Sequence, residues 1–200
     1  MIALPWAAIG AGLLLGYALG SVPFGLILTR AAGLSDVRDI GSGNIGATNV
    51  MRAGGKGLAA ATLVLDCLKA TAAILLAGRL WPGTESFAAA GALIGHLYPV
   101  WLRFRGGKGV ATLLGILIPL LPVAAVIYAF VWLGLLLTVR ISSVAGIAAA
   151  ISAPISAAVL GAQELFPMLL GFALLVVWKH RENILRLKAG TEPAIGKRGV

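Results

Sequence analysis

Apolar positions fall into seven runs, over residues 4–28, 58–77, 86–100, 110–121, 123–139, 142–160 and 165–178, with polar and glycine-rich stretches between them. A helix needs about 20 apolar residues to cross the hydrocarbon of a bilayer. Backbone groups in lipid must also be satisfied within their own helix. The pattern therefore predicts an all-α integral membrane protein with seven transmembrane helices, arranged as one polytopic domain over 1–200. The third and fourth runs are short and the hinge between Pro119 and Pro122 is tight, so five or six spans with a re-entrant piece is the competing count. Strand-like alternation is missing, which argues against a barrel. The first run lacks both a preceding Lys or Arg and a following small-residue cleavage site, so it reads as a retained span and not a signal peptide.

Composition agrees. Hydrophobic residues make up 60% of the chain and charged residues 12%, against about half and a quarter in soluble domains. The net charge of +9 has a location. Alternating the loops across a membrane places fourteen of the Lys and Arg residues on one side and only Arg79 on the other, with Lys69 inside a span. Short cytoplasmic loops retain Lys and Arg. The N-terminus is thus expected outside and the C-terminus in the cytoplasm, with cytoplasmic loops at 31–57 and 101–109 and a cytoplasmic tail at 179–200. Trp6 and Trp81 then fall near one interface, Trp101 and Trp178 near the other. The single cysteine, Cys67, sits in an apolar run and reads as packing.

The long loop contains DIGSGNIGATNVMRAGGKG over 39–57. Taken as a helix from Gly43 to Ala53, it brings Asn44, Thr48, Asn49 and Arg52 onto one arc, with Ile45 out of pattern, and puts Ser42 at the N-cap. Such a helix start offers N–H groups to an anion. An amphipathic helix lying on headgroups is the alternative. GGKG occurs twice, at 54–57 and 106–109. Neither copy is a P-loop, because a glycine six places before the lysine and a hydroxyl after it are missing. Glycines that turn N–H groups inward, a following helix start and Lys108 still make an anion cradle; ordinary contact with anionic lipid is the competing account. In WKHRENILRLK, His180 and Asn183 lie three apart on one helix face. Asp66 and Lys69, also three apart, read as a structural pair inside a span. His96 reads equally as a helix-end hydrogen-bonding group or a site residue.

His-x-x-x-x-Asp, the dyad of thioester-using glycerolipid acyltransferases, is missing: Trp101 and Leu185 stand where its aspartate would be. A serine elbow, a metal-ligand spacing and a nucleotide loop are missing too. A phosphate-ester transporter would want similar cations near the midplane, and a lipid-binding scaffold would want the charge without the Asn, Thr and His.

Five motifs in order, GSVPFG (20–25), GSGNIGATNVMR (41–52), LDCLK (65–69), GHLYPVWLRFRGGKGVAT (95–112) and HRENILRLKAGTEPAIG (180–196), closely resemble the bacterial acyl-phosphate:glycerol-3-phosphate acyltransferases, the PlsY family. The resemblance implies a seven-span enzyme of the inner membrane. It would move a fatty acyl group from acyl phosphate to the 1-hydroxyl of sn-glycerol 3-phosphate, giving lysophosphatidic acid and phosphate. It implies catalytic roles for His180, Asn183, Ser42 and Asn44, and substrate-phosphate binding by Arg52, Lys108, Gly106, Gly107, Gly109, Thr48 and Asn49. No metal, cofactor or nucleic acid is expected. The partners it implies are the two phosphate substrates, membrane lipids and a soluble enzyme that makes acyl phosphate.

Overall fold

The computed structural model describes residues 4–195; Gly196, Lys197 and Arg198 of the expected tail lie outside the described residues. Those residues form nine α-helices and no strand. They fall into two compact units, up to Leu120 and from Leu121 onward.

The first unit holds α1 (Trp6–Gly20), α2 (Phe24–Ala31), α3 (Ala47–Leu80), α4 (Glu85–Leu97) and α5 (Val110–Leu120). The first apolar run is not one helix. Pro23 has no N–H to donate and restricts the residue before it, so the chain breaks at Ser21–Pro23 and resumes as α2. Helices α1 and α4 pack almost backbone to backbone. A methyl at Gly16 would collide with the Ala88 carbonyl, and one at Gly91 with the Leu13 carbonyl. In lipid, where apolar side chains gain nothing by leaving solvent, such close approach of small residues is what holds helices together. Gly12 meets Thr84, Gly16 meets Ala88 and Gly20 meets Ala92. The contacts advance in the same sense along both helices, which therefore run parallel.

Helix α3 spans 34 residues but is non-helical at Gly55. Its later part, 56–80, is roughly 37 Å long at 1.5 Å per residue, enough to cross a bilayer core. Helix α4 has 13 residues, roughly 20 Å, and is largely buried among its neighbours. By length and apolarity, Trp6–Ala31, Ala47–Leu80 and Ser142–Val159 suffice to cross a membrane, while α5, α6 and α8 are shorter apolar helices.

The second unit holds α6 (Pro122–Thr138), α7 (Ser142–Val159), α8 (Phe166–Lys179) and α9 (Arg181–Lys188). Alanines of α7 at 145, 149, 153 and 157 recur every fourth residue and are buried. The last apolar helix stops at Lys179, and His180 forms the joint to α9.

Candidate active site

The loop before α3 has a core of its own. Val37, Ile45 and Val50 pack with Leu26 of α2, and Ala53, Leu58 and Leu102 close against them. That cluster explains why Ile45 breaks the polar arc: it points into the loop's core. Leu102 belongs to the second expected loop, so the unit brings 31–57 and 101–109 to the same place.

The expected helix from Gly43 is corrected. Helix α3 starts at Ala47 with Gly46 as its N-cap, so Ser42 is not a cap. Gly41 and Gly43 both have positive φ, 58° and 65°, and Asn44 Oδ1 accepts a bond from the Gly46 N–H at 2.9 Å. Such a local side-chain turn competes with a helical turn. Asn49 is corrected as well. It is 1% exposed, and its Nδ2 donates to the carbonyls of Val37, Ile40 and Asn44 at 2.7, 2.9 and 2.8 Å. Its Oδ1 accepts from the Ser42 N–H at 3.2 Å. With its carboxamide taken up by the loop, Asn49 positions Ser42 and Asn44; it does not offer an anion a donor.

Arg52 is exposed, and its side chain folds over Gly41, where a Cβ would lie 3.1 Å from Arg52 Cδ. Thr48 is half-buried one turn earlier. Across the loop, Arg38 Nη2 meets Asp36 Oδ2 at 2.6 Å. That side-chain bond and the Arg38 backbone N–H hold the Asp36 carboxyl well below the usual carboxylate range.

The glycine loop before α5 also differs from the cradle expected. The Gly106 N–H donates to the Leu97 carbonyl at 3.2 Å and the Gly107 N–H to the His96 carbonyl at 3.0 Å. These amides tie off the C-terminal end of α4 and do not turn inward to an anion. Glycine is needed because a Cβ at 106 would strike the His96 carbonyl and one at 107 the His96 imidazole. Gly109, at φ 89°, makes the turn into α5. Just upstream, Arg103 and Phe104 hold left-handed φ of 52° and 61°, an uncommon state for side chains of that size. Bonds from the Phe104 N–H to Pro99 and from the Arg105 N–H to Leu102, each 3.0 Å, fix that turn. Lys108 is half-buried between Gly107 and Gly109.

In the second unit His180 and Asn183 are both buried, at 3% and 6% exposure. His180 Nδ1 lies 2.8 Å from the Val176 carbonyl. A carbonyl only accepts, so Nδ1 carries the proton and Nε2 is the basic nitrogen of the neutral ring. Asn183 Nδ2 donates to Glu192 Oε1 at 2.6 Å, as does Ser143 Oγ at 2.7 Å. Arg186 Nε donates to Glu192 Oε2 at 2.7 Å. Burial pushes the Glu192 carboxyl up, but these bonds outweigh it and hold the carboxyl below the usual glutamate range. Glu192, Ser143 and Arg186 escaped the sequence reading. The signal available was Glu192, one of only two acids in a basic tail, standing beyond the last helix. Among the described residues no cluster of three potential metal ligands occurs.

The sequence model described as glycerol-3-phosphate acyltransferase matches residues 11–190. The chain belongs to the glycerol-3-phosphate acyltransferase family. A glycerol-3-phosphate acyltransferase from Mesorhizobium japonicum is 57% identical over 94% of this chain and 96% of its own. One from Methylorubrum populi is 52% identical over 100% of this chain and 98% of its own. Among solved structures, PlsY, an integral membrane glycerol 3-phosphate acyltransferase, is similar in its glycerol 3-phosphate form. The TM-score is 0.88 at 38% identity, over 94% of this chain and 96% of that one. Its lysophosphatidic acid form gives 0.86 at 37%, over 94% and 95%. Family membership makes this acyltransferase a multi-pass integral membrane protein of the PlsY type.

Proposed function

We propose that the protein transfers a fatty acyl group from acyl phosphate to the 1-hydroxyl of sn-glycerol 3-phosphate, without a thioester donor. The observation that carries the reading is the likeness, over nearly the whole chain, to solved structures of an acyltransferase in both its glycerol 3-phosphate and lysophosphatidic acid forms. The donor is inferred from chemistry. An acyl phosphate is an activated mixed anhydride, and its phosphate leaves with charge stabilisation and little help from an acid. That fits a chain with Arg52 and Lys108 but no His-x-x-x-x-Asp dyad.

In the step itself the 1-hydroxyl oxygen bonds to the acyl carbon, the bond from that carbon to the phosphate oxygen breaks, and inorganic phosphate leaves. The hydroxyl proton passes to His180 Nε2 or to a substrate phosphate oxygen. Asn183, held by Glu192, and Ser42 and Asn44, held by Asn49, orient the acceptor. Lys108, Arg52 and Thr48 bind phosphate, with Gly106, Gly107 and Gly109 shaping the loop that carries Lys108.

The same reading makes 1–200 a single polytopic domain of seven spans in the inner membrane, with its site on the cytoplasmic face and a soluble acyl-phosphate-forming enzyme supplying it. The decisive experiment gives the purified protein acyl phosphate with and without glycerol 3-phosphate and follows phosphate and lysophosphatidic acid. Phosphate release that depends on the acceptor is expected, and comparable product from acyl-coenzyme A overturns the donor. Gly83→Cys and Gly190→Cys, each in a Cys67→Ser chain, are expected to react with an impermeant thiol reagent from opposite sides.

A further inference from the structure

The most deeply buried charges of the first unit do not belong to the site just described. Lys69 Nζ, inside α3, meets three groups. It lies 2.7 Å from Asp66 Oδ1, 2.9 Å from His96 Nδ1 and 2.8 Å from the Val22 carbonyl. All three side chains are at most 6% exposed. The Asp66 contact lies off the hydrogen-bond axis, since Oδ1 has no directed partner, so its attraction is Coulombic. The Phe24 ring faces the ammonium, its centroid 5.9 Å away.

An ion pair beside apolar helices is expensive, and residues of this kind are kept where they act. Its connections indicate the action. The Val22 carbonyl lies in the break between α1 and α2, and α2 carries the core of the first loop through Leu26 and the close contact of Gly25 with the Ile45 carbonyl. His96 lies at the end of α4, where its carbonyl accepts the Gly107 N–H and its ring blocks any side chain at 107. Because the ammonium donates to Nδ1, the neutral ring carries its proton on Nε2, the edge that faces Gly107. One lysine thus joins the element beneath the Arg52 loop to the wall behind the Lys108 loop.

We propose that Asp66, Lys69 and His96 are positioning residues for phosphate binding, fixing the loop of Lys108 against the α4 end and relative to the loop of Arg52. The inference rests on the proposed reading of Lys108 as a phosphate ligand. Gly107 has no positive φ, and the three atoms nearest an added methyl all belong to the His96 ring. That makes the coupling testable by a compensating pair.

The experiment compares wild type, Gly107→Ala, His96→Asn and the double variant in detergent. Readouts are Tm, the Tm shift produced by inorganic phosphate, and KM for each phosphate substrate. Asparagine keeps an acceptor for Lys69 but removes the ring edge. Each single variant should raise KM for a phosphate substrate about tenfold or more, the scale on which misplaced groups act. The double variant should lie closer to wild type than either single, because the new methyl occupies the vacated ring space. Asp66→Asn combined with Lys69→Met removes both charges together and should also raise KM in folded protein, which a merely structural pair would not do. Recovery of folding in the double variant, where Gly107→Ala alone does not fold, counts as the expected coupling. A double variant no better folded and no closer in KM than the worse single overturns the proposal, as does an unchanged KM in the folded charge-free variant. Should wild type make no lysophosphatidic acid, the proposed reaction falls. The coupling is then decided by the phosphate-dependent Tm shift, which needs no turnover: recovery in the double variant upholds the positioning role, and its absence overturns it.

Discussion

The two GGKG stretches are identical in sequence and unlike in use. At 54–57, glycine serves the helix. Gly55 takes φ 84° and ψ −178°, and added Cβ atoms at 55 and 57 would meet open space. At Gly54 a methyl would meet the flexible ends of Leu34 and Leu58. At 106–109, glycine serves close approach, with α4 backbone and the His96 ring filling the space a side chain would take. Composition created the likeness, since each copy leads into a helical stretch that is expected to rise from the cytoplasmic side, the later part of α3 in one case and α5 in the other. Surroundings assign the jobs: a kink in α3 in one case, a wall-backed carrier for a lysine in the other.

The largest effect should separate the two lysines. Lys108→Met is expected to cost about 2–4 kcal/mol of transition-state stabilisation, as for other electrostatic donors in water-poor sites, and Lys56→Met well under half of that. Measurement of kcat/KM for both folded variants decides it. Equal losses would mean that the two loops share the work.

Next come changes that should leave both loops in place. His180→Ala and Asn183→Ala are each expected to lower turnover about 10²-fold, the scale of a lost proton-transfer or orienting group. Near-normal kinetics in folded variants would reduce the last helix to an anchor. If either variant shifts KM as Lys108→Met does, the separation of phosphate binding from hydroxyl handling is lost.

Of the fold, the apolar runs were legible because hydropathy is a local property summed over a window. The break at Pro23 was legible in principle from proline's missing donor. The start of α3 was misread because a 100° periodicity ignores left-handed glycines at 41 and 43 and the turn closed by Asn44. Of the site, the Asp66–Lys69 pairing followed from helical spacing. Its third member, His96, is 27 residues beyond Lys69 and is joined to it only by packing. Asn49 was assigned to phosphate from its place on the polar arc and from the family resemblance; helical spacing could not show that its carboxamide is buried on the loop backbone. Glu192 was missed because its donors come from two helices, Ser143 from α7 and Asn183 and Arg186 from α9, and only the fold brings α7 to it.

A smaller effect contrasts the glycines themselves. Gly106→Ala drives a methyl into the His96 carbonyl, and overpacking of this kind costs about 1–3 kcal/mol. Gly54→Ala meets only leucine termini and should fall at or below the lower end of that range. Thermal unfolding in detergent measures both. A Gly54 variant as unstable as the Gly106 variant would refute the difference in packing.

The smallest effect distinguishes the loops by pH. Asp36 is the acid that fastens the first loop, through Arg38 Nε at 2.9 Å and Nη2 at 2.6 Å, whereas the stretch 101–109 contains no acid. The folded carboxyl is held below its ordinary value, so its contribution to loop stability is fully present above the unfolded value of about 4. It is lost as pH falls through the folded value. With side chains 22% and 39% exposed, the pair is screened and should contribute no more than about 1 kcal/mol. Amide exchange at Val37–Ile40, corrected for the intrinsic rate, should therefore quicken on acidification below the ordinary carboxylate range, while exchange at Gly106 and Gly107 lacks this component. Asp36→Asn should exchange faster at neutral pH and remove the acid-dependent part. An identical acid response in both loops would show that the first is held by its apolar core of Val37, Ile45 and Val50, with the ion pair adding nothing.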